Sequence, residues 1–196
     1  GAVTADLVGG NAVNVAVQLA RLGVQSAYFG AAGNDGNGER LRHALVREGV
    51  GLDGLRLLDG QATATTDIAT AADGERHFIH EDFGACADYR PGADDIERLK
   101  AFDHVHIGWL NDAGEMKRRL RSAGVSVSQD LSVNNQPENL SAWSLTVAFA
   151  SAAEANAGTV AQRLLAGGAA MAVVTMGAAG SLATGGRTLA QSEAVP

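Results

Sequence analysis

The second half of the chain alternates between helix-like and strand-like segments, and this alternation is the feature that most constrains the fold. The patterns predict helices at about 94–101, 114–122 and 153–165, and strands at 105–109, 125–131, 145–150 and 171–175. Short links between such units predict a mainly parallel sheet covered by helices on both faces. A last hairpin is predicted from Ser181–Thr184 and Arg187–Ala190, with two glycines between them.

The first half begins with a predicted helix, strand and second helix. Gly9-Gly-Asn-Ala is followed by Val13, Val15, Ala16, Val17, Leu19, Ala20 and Leu22. These predict a helix that is nearly apolar all round and packed hard against a sheet, and Gly23 follows as a C-terminal cap. Residues 24–32 predict a strand. Residues 39–48 predict a second helix, with Gly49 directly after it.

A polar hairpin is predicted next, at about residues 62–80. Residues 62–72 and 75–80 form its two strands, because Asp73-Gly74 between them is a strong turn signal. Polar side chains occur on both faces, so we expect the ribbon to project from the molecule as a small β lid. The whole chain, residues 1–196, is predicted to form one α/β domain that carries this lid.

Composition restricts the class of partner. Hydrophobic residues make up 46% of the 196 residues, enough for a core, and the net charge is −7. An acidic chain without a basic stripe argues against nucleic acid and favours a small-molecule partner. No apolar run reaches membrane-spanning length, so no membrane contact is expected. The single cysteine, Cys86, excludes an internal disulfide, and we expect a cytoplasmic protein.

Two glycines followed by two asparagines open the first predicted helix. Gly9 and Gly10 let a ligand approach the backbone, and the start of the helix offers free N–H groups. Asn11 and Asn14 are three residues apart and face the same side, where their amides suit the paired hydroxyls of a sugar. A simple turn in which Asn11 caps the helix explains these residues about equally well.

A second glycine motif, Gly33-Asn34-Asp35-Gly36-Asn37-Gly38, follows the first predicted strand. Ligands of open α/β sheets gather at the carboxyl ends of strands, so the Asp35 carboxylate is placed to accept hydrogen bonds from ligand hydroxyls. Taken alone, the motif favours the alternative in which Asp35 caps the helix that follows.

A third glycine motif, from Thr175 to Gly180, follows the strand at 171–175. Gly177 and Gly180 bracket a tight turn that exposes consecutive N–H groups, a small nest for a phosphate. Alone this signal is weak, because glycine turns are common after strands. The G-x-x-x-x-G-K-S/T and G-x-S-x-G signatures do not occur.

Together, and in this order, the three motifs resemble the signatures of the ribokinase/PfkB carbohydrate kinase family. The resemblance implies a three-layer α/β/α ribokinase-like fold with a β lid, and transfer of the ATP γ-phosphate to a sugar hydroxyl with Mg²⁺. It implies that the substrate-binding residues are Gly9, Gly10, Asn11, Asn14, Gly33 and Asp35. It implies that Thr175, Gly177 and Gly180 bind the nucleotide, and that subunits pair as a homodimer through the lid.

Two departures from the family pattern affect the chemistry. The stretch Ser151-Ala-Ala-Glu154 matches the family's N-x-x-E motif only at Glu154, which would assist the metal or serve as a favourable charge at a helix start. The G-A-G-D motif that supplies the catalytic base is expected beyond Pro196, and the family's first strand is expected before Gly1. Two alternatives agree with these departures. The sequence is part of a working kinase, or it is a catalytically inactive protein that binds a sugar or nucleoside.

The identity of the sugar stays open at this point. The stretches 80–84, 102–106 and Gly108-Trp109 are similar to the fructoselysine 6-kinase branch of the family. His104 and His106 lie two apart on a predicted strand and so face one side. Without a third ligand nearby, we expect them to pack or to form hydrogen bonds rather than to bind a metal.

Overall fold

The computed structural model describes residues 5–71, 76–132 and 136–194, and the chain divides into two compact units, Gly1–Tyr89 and Arg90–Pro196. The prediction of a single domain over residues 1–196 stays a prediction. The first unit contains α1 (Asn11–Arg21), β1 (Ala27–Gly33), α2 (Gly36–Arg47), β2 (Gly51–Leu58), β3 (Thr65–Thr70) and β4 (Arg76–Asp82).

Both helices of the first unit end as the sequence predicts, at a glycine in the left-handed region. Gly23 has φ +80° and Gly49 has φ +76°, values that residues with a Cβ rarely adopt. The amide of Val24 donates to the carbonyl of Leu19 at 2.9 Å, which closes the end of α1. Side chains from both helices and both flanking strands then form an apolar core: Val13, Ala16, Ala32, Leu41, Leu45 and Val50.

Strand β2 was not predicted from the sequence. It pairs in parallel with β1, from Ala27 opposite Gly51 to Gly33 opposite Leu58. Gly54 lies beneath the ring of Phe29, which a Cβ on Gly54 would approach to 2.3 Å. The strand therefore depends on a partner that is distant in sequence, and its two glycines weaken the local strand signal.

The predicted hairpin is present, with shifted ends. Strands β3 and β4 pair antiparallel, from Thr65 opposite Asp82 to Thr70 opposite Arg76. Strand β3 begins at Thr65 rather than at residue 62, because residues 61–64 form other contacts that are described below. Every residue of β3 is exposed. The predicted turn at Asp73-Gly74 lies outside the described residues.

The second unit contains the alternating elements that the sequence predicts. They are α3 (Ala93–Leu99), β5 (His104–Ile107), α4 (Glu115–Ser122), β6 (Ser126–Asp130), β7 (Val147–Ser151), α5 (Glu154–Ala166), β8 (Met171–Thr175), β9 (Ser181–Thr184) and β10 (Leu189–Ser192). The six strands form one sheet in the order β10-β9-β8-β7-β6-β5. Strands β5 to β8 are parallel, and β9 and β10 add an antiparallel edge. The prediction of a mainly parallel sheet is confirmed.

A buried polar network lies between α4, β6 and the segment before β7. The ammonium of Lys117, whose residue is only 2% exposed, donates to Gln129 Oε1 at 3.1 Å and to the carbonyl of Ser141. Gln129 Nε2 donates to the carbonyl of Asn139 at 2.8 Å, and Asn139 Nδ2 donates to Asn111 Oδ1 at 2.8 Å. Burial lowers the pKa of Lys117 to about 8.

No helix in the part of the chain that the structure describes is long and apolar enough to cross a membrane.

Candidate functional site

The first glycine motif lies at the start of α1. Gly10, with φ +111°, occupies the N-cap position, and Asn11 is the first helical residue. The alternative in which Asn11 caps the helix is therefore wrong, because the strained cap position is taken by the glycine. Asn14 is exposed one turn further along, and its backbone N–H donates to the Gly10 carbonyl at 2.9 Å.

Asp35, in the second motif, caps α2, as one of the two alternatives predicts. Its Oδ1 accepts from the amide of Gly38 at 2.8 Å, the usual geometry of an aspartate N-cap. Oδ1 also accepts from the Thr63 hydroxyl at 2.6 Å, and Oδ2 accepts from the Thr63 amide at 2.9 Å. Three donors therefore already hold this carboxylate, and capacity for a further donor remains mainly on Oδ2.

These contacts stabilise the charged form of Asp35. The Thr63 hydroxyl, followed by the amides of Thr63 and Gly38, lowers the pKa of Asp35 to about 2. The side chain is therefore an acceptor at neutral pH. A role in binding sugar hydroxyls stays a prediction.

The two outer glycines of this motif are required by close packing. A Cβ on Gly33 would lie 2.2 Å from the carbonyl oxygen of Gln61, and a Cβ on Gly38 would lie 2.0 Å from that of Gly33. Contacts this short cannot be accommodated without moving the backbone. Thr63 was missed in the sequence analysis, since nothing local distinguishes this threonine in the run Ala62-Thr63-Ala64-Thr65.

The third motif begins where two parallel strands end side by side. Ser151 at the end of β7 is opposite Thr175 at the end of β8, and their hydroxyls are 2.8 Å apart. After Thr175 the chain forms a single 3-10 turn, Gly177–Ala179, and the Met176 amide donates to the Gly180 carbonyl at 2.8 Å. The carboxyl edge of a parallel sheet is the usual place for a ligand in this class of fold.

Both glycines of this loop have positive φ, +58° at Gly177 and +87° at Gly180. Gly180 also packs against the last strand, since a Cβ there would lie 2.0 Å from the Ser192 carbonyl oxygen. Gly177 has open space around it, with no heavy atom within 4 Å of an added Cβ. Gly177 therefore leaves the backbone accessible from outside.

Glu154 is the first residue of α5 and is exposed, three residues after Ser151. A carboxylate here is favourable at the positive end of the helix. Within residues 5–71, 76–132 and 136–194, no group of three or more His, Cys, Asp or Glu side chains is arranged to hold a metal ion. A metal role for Glu154 stays a prediction.

His104 and His106 face the same side of β5, as predicted. Both rings bind the hydroxyl of Ser128 on the neighbouring strand, at 2.7 Å from His104 Nε2 and 2.9 Å from His106 Nδ1. His104 Nδ1 also binds the Ser126 hydroxyl at 2.8 Å. Burial lowers the pKa of both histidines.

The candidate residues are divided between the two units. The first unit holds Gly9 to Asn14, Gly33 and Asp35, and the second holds Glu154 and the loop from Thr175 to Gly180.

Comparison with known proteins identifies the family that carries this arrangement. Residues 6–196 match the profile described as pfkB family carbohydrate kinase. A fructoselysine 6-kinase of Escherichia coli is 31% identical over 185 residues, which cover 91% of this chain and 69% of that protein. An ATP-dependent ribose-1-phosphate kinase of Halopiger xanaduensis is 36% identical over 124 residues, 62% of this chain and only 42% of that protein.

Solved structures of related fold agree with the architecture. The ribokinase of Arabidopsis thaliana, complexed with ribose and ATP, superimposes with a TM-score of 0.82 at 21% identity, covering 96% of this chain and 67% of that one. An adenosine kinase from Sinorhizobium meliloti gives 0.79 at 26% identity, covering 96% and 64%. The prediction of a ribokinase-like α/β fold is confirmed.

Proposed function

Because the chain belongs to the pfkB family of carbohydrate kinases, we propose that it forms the substrate-binding and nucleotide-binding parts of an ATP-dependent sugar kinase. The reaction joins a sugar hydroxyl oxygen to the γ-phosphorus of ATP. The bond from that phosphorus to the β,γ-bridging oxygen breaks, and ADP and the hydroxyl proton are released. The residue that accepts the proton is expected beyond Pro196, and none in this chain is assigned to it.

The observation that carries this proposal is the loop after β8. Gly177 and Gly180 have positive φ on either side of a tight turn, a backbone conformation compatible with a phosphate nest. The open space around Gly177 would let the phosphates of ATP approach the backbone. The amides of Gly177 and Ala178 are the donors that this loop would offer, since those of Ala179 and Gly180 already donate within the turn. The Thr175 hydroxyl would lie at the edge of the same site.

Glu154 fits a magnesium ion that is held mainly by ATP and water. Mg²⁺ keeps several waters and usually takes one or two carboxylates together with substrate phosphates. Glu154 offers one exposed carboxylate, three residues after Ser151, whose hydroxyl pairs with that of Thr175. This matches that pattern, and Glu154 would not hold a metal without nucleotide. When bound, the ion would neutralise charge on the phosphates.

The first unit would hold the sugar. Gly9 and Gly10 would admit it to the start of α1, where the amides of Asn11 and Asn14 present donors and acceptors to neighbouring hydroxyls. Gly33 and the remaining capacity of Asp35 Oδ2 would contribute from the turn after β1. Asn14 is the clearest candidate of these, because it is exposed and follows the helix start by one turn.

Within this class, a fructoselysine 6-kinase-like activity is the first candidate. The support is the identity of 31% over 91% of this chain with a protein of that name. Fructose, ribose and nucleosides are the competing substrates, since fructokinases, a ribose-1-phosphate kinase and an adenosine kinase are also similar.

A homodimer through the β3–β4 hairpin is part of this proposal. Phe78 is 66% exposed and lies opposite Ile68, which is 48% exposed, while Ile79 is 66% exposed on the next position. Exposed apolar side chains on an isolated two-stranded ribbon favour burial against a second copy.

A location in the cytoplasm is also part of this proposal, because a single free cysteine suits a reducing environment.

The test is an ADP-release assay of the full-length protein with Mg²⁺, ATP and a panel containing fructoselysine, fructose, ribose and adenosine. ADP release that depends on one of these substrates would support the proposal. Sugar binding without ADP release would overturn it and leave a binding protein.

The same assay tests the sugar side through Asn14→Ala. We expect the KM for the sugar to rise about tenfold or more, because a buried substrate hydroxyl loses its partner, while the KM for ATP stays unchanged. Gln18→Ala, one turn further along the same exposed face of α1, is the matched control and should change neither KM. Equal effects of Asn14→Ala on both constants would contradict this assignment.

A further inference from the structure

The segment before the hairpin, residues 61–64, is held on both sides by backbone contacts; we call it the base segment. On one side a Cβ at Gly33 would lie 2.2 Å from the Gln61 carbonyl oxygen. On the other side a Cβ at Gly84 would lie 2.2 Å from the Ala62 carbonyl oxygen, which also accepts from the Ala85 amide at 2.8 Å. The base segment therefore lies between the turn after β1 and the turn after β4.

Thr63 is the polar centre of this arrangement. Its residue is only 9% exposed, and its hydroxyl donates to Asp35 Oδ1 at 2.6 Å and accepts from the Gly33 amide at 3.0 Å. Its own amide donates to Asp35 Oδ2 at 2.9 Å. One threonine thus joins the base segment to two residues of the glycine motif, one of which is a charged acceptor that strengthens the bonds.

Both strands of the hairpin leave from this point. Strand β3 starts at Thr65, two residues after Thr63, and β4 ends at Asp82, whose Oδ1 accepts from the Gly84 amide at 2.9 Å. The strands themselves are exposed and have few other contacts. The orientation of the hairpin is consequently set at the base segment, which contacts the turn after β1 on one side and the turn after β4 on the other.

We propose that Thr63 is a positioning residue that fixes the base of the hairpin to the turn carrying Gly33 and Asp35, so that hairpin and turn move as one piece. The anchoring follows from contacts within the first unit alone. Its consequence for sugar binding rests on the proposed function, since Gly33 and Asp35 are assigned to the sugar only there.

The test compares Thr63→Val with Thr63→Ser. Valine keeps the branched shape and removes the hydroxyl, whereas serine keeps the hydroxyl. Thr65→Val is the matched control, because it makes the same change at an exposed position two residues further along. Amide hydrogen exchange of β3 and β4 is the first measurement, and it needs neither sugar nor ATP.

We expect amide exchange in the hairpin to become about tenfold faster in Thr63→Val and to stay unchanged in Thr63→Ser and Thr65→Val, as for loss of a hydrogen bond to a charged group. NMR titration should show the pKa of Asp35 rising from about 2 toward its ordinary value of 3.8 in Thr63→Val alone. Hairpin exchange in Thr63→Val equal to that in Thr65→Val would overturn the proposal.

Two further outcomes are distinguishable. If Thr63→Val does not fold, Asp35→Asn removes the charged acceptor while keeping a capping side chain, and the same faster hairpin exchange is expected. If the full-length protein is an active kinase, Thr63→Val should raise the KM for the sugar about fivefold and leave the KM for ATP unchanged. An inactive protein that shows the exchange and pKa effects would remove the proposed function and retain the anchor.

Discussion

Strands β1 and β8 are both followed by a glycine turn, and the first glycine of each turn has a different environment. In the turn after β1, Gly33 and Gly38 are glycines because a Cβ would meet backbone atoms, and the one carboxylate is already held by three donors. In the loop after β8, Gly177 has open space and is a glycine because of its positive φ. The turn after β1 is closed by packing at Gly33 and Gly38, whereas the loop after β8 leaves its backbone accessible at Gly177. Glycines in the two turns are therefore required for different physical reasons, and the spacing of the glycines in the sequence does not reveal which reason applies.

The polar centres of the two units differ in the charge they hold and in how it is stabilised. The first unit holds an anion, Asp35, with hydrogen-bond donors that favour its charge. The second holds a cation, Lys117, with an amide oxygen and a carbonyl oxygen, and burial outweighs the attraction of Asp112. The anion is stabilised in its charged form, and the cation is destabilised in its charged form.

The largest effect is expected from Gly33→Ala. The new Cβ would lie 2.2 Å from the Gln61 carbonyl oxygen and 2.7 Å from the Thr63 amide nitrogen, so the base segment must shift. We expect a loss of about 3 kcal/mol in the free energy of unfolding, measured by urea denaturation. Gly36→Ala, in the same turn and with open space, should change it by less than about 0.5 kcal/mol. Similar losses for the two variants would show that the turn is not closed by packing.

A smaller effect is expected from pH at Lys117. Between its folded pKa of about 8 and its ordinary value of 10.5, the unfolded chain binds more protons than the folded chain. The free energy of unfolding of the wild type should therefore rise with pH across this window by about 2 kcal/mol relative to Lys117→Met.

Urea denaturation at a series of pH values checks this prediction. The chain's other lysine, Lys100, is exposed, so Lys100→Met is the matched control and should show the same pH dependence as the wild type. If the free energy of unfolding of the wild type did not rise with pH relative to that of Lys117→Met, burial would not lower the pKa of Lys117 in the folded chain.

The smallest effect on stability is expected from Gly177→Ala. Its φ of +58° disfavours alanine by about 1 kcal/mol, with no steric clash. Gly186→Ala is the matched control, since Gly186 has φ +82° and open space in the turn between β9 and β10. We expect equal losses of stability, but a rise in the KM for ATP of about fivefold only for Gly177→Ala. An unchanged KM would remove Gly177 from the nucleotide site.

Much of the fold follows from local signals. Gly23 and Gly49 fix the ends of α1 and α2 because only glycine is comfortable at their positive φ. The alternating units of the second half also appear in order, because each carries its own apolar pattern. Strand β2 was missed because Gly51 and Gly54 are poor strand residues that pairing with β1 compensates.

The candidate site was predictable only where glycines or helix starts mark it. The Thr63–Asp35 contact joins residues 28 positions apart, and a threonine among alanines and threonines gives no local sign of it. Lys117 lies in the run Glu115-Met-Lys-Arg-Arg, which resembles a solvated charged face, yet it is the largest fully buried side chain among the described residues. Whether a long charged side chain is buried depends on elements that are distant in sequence. The residues next to it in the sequence therefore do not predict its burial.

The base segment also restricts which positions of the first unit can be substituted. It is held through main-chain atoms of residues 61 and 62 and through one threonine, and its neighbours Gly33, Gly38 and Gly84 have no room for a side chain. In a library of variants these positions should tolerate few substitutions, whereas the exposed polar positions of β3 and β4 should accept wider variation. We therefore expect that the hairpin sequence can be replaced, with the base segment kept, without refolding the unit that carries it.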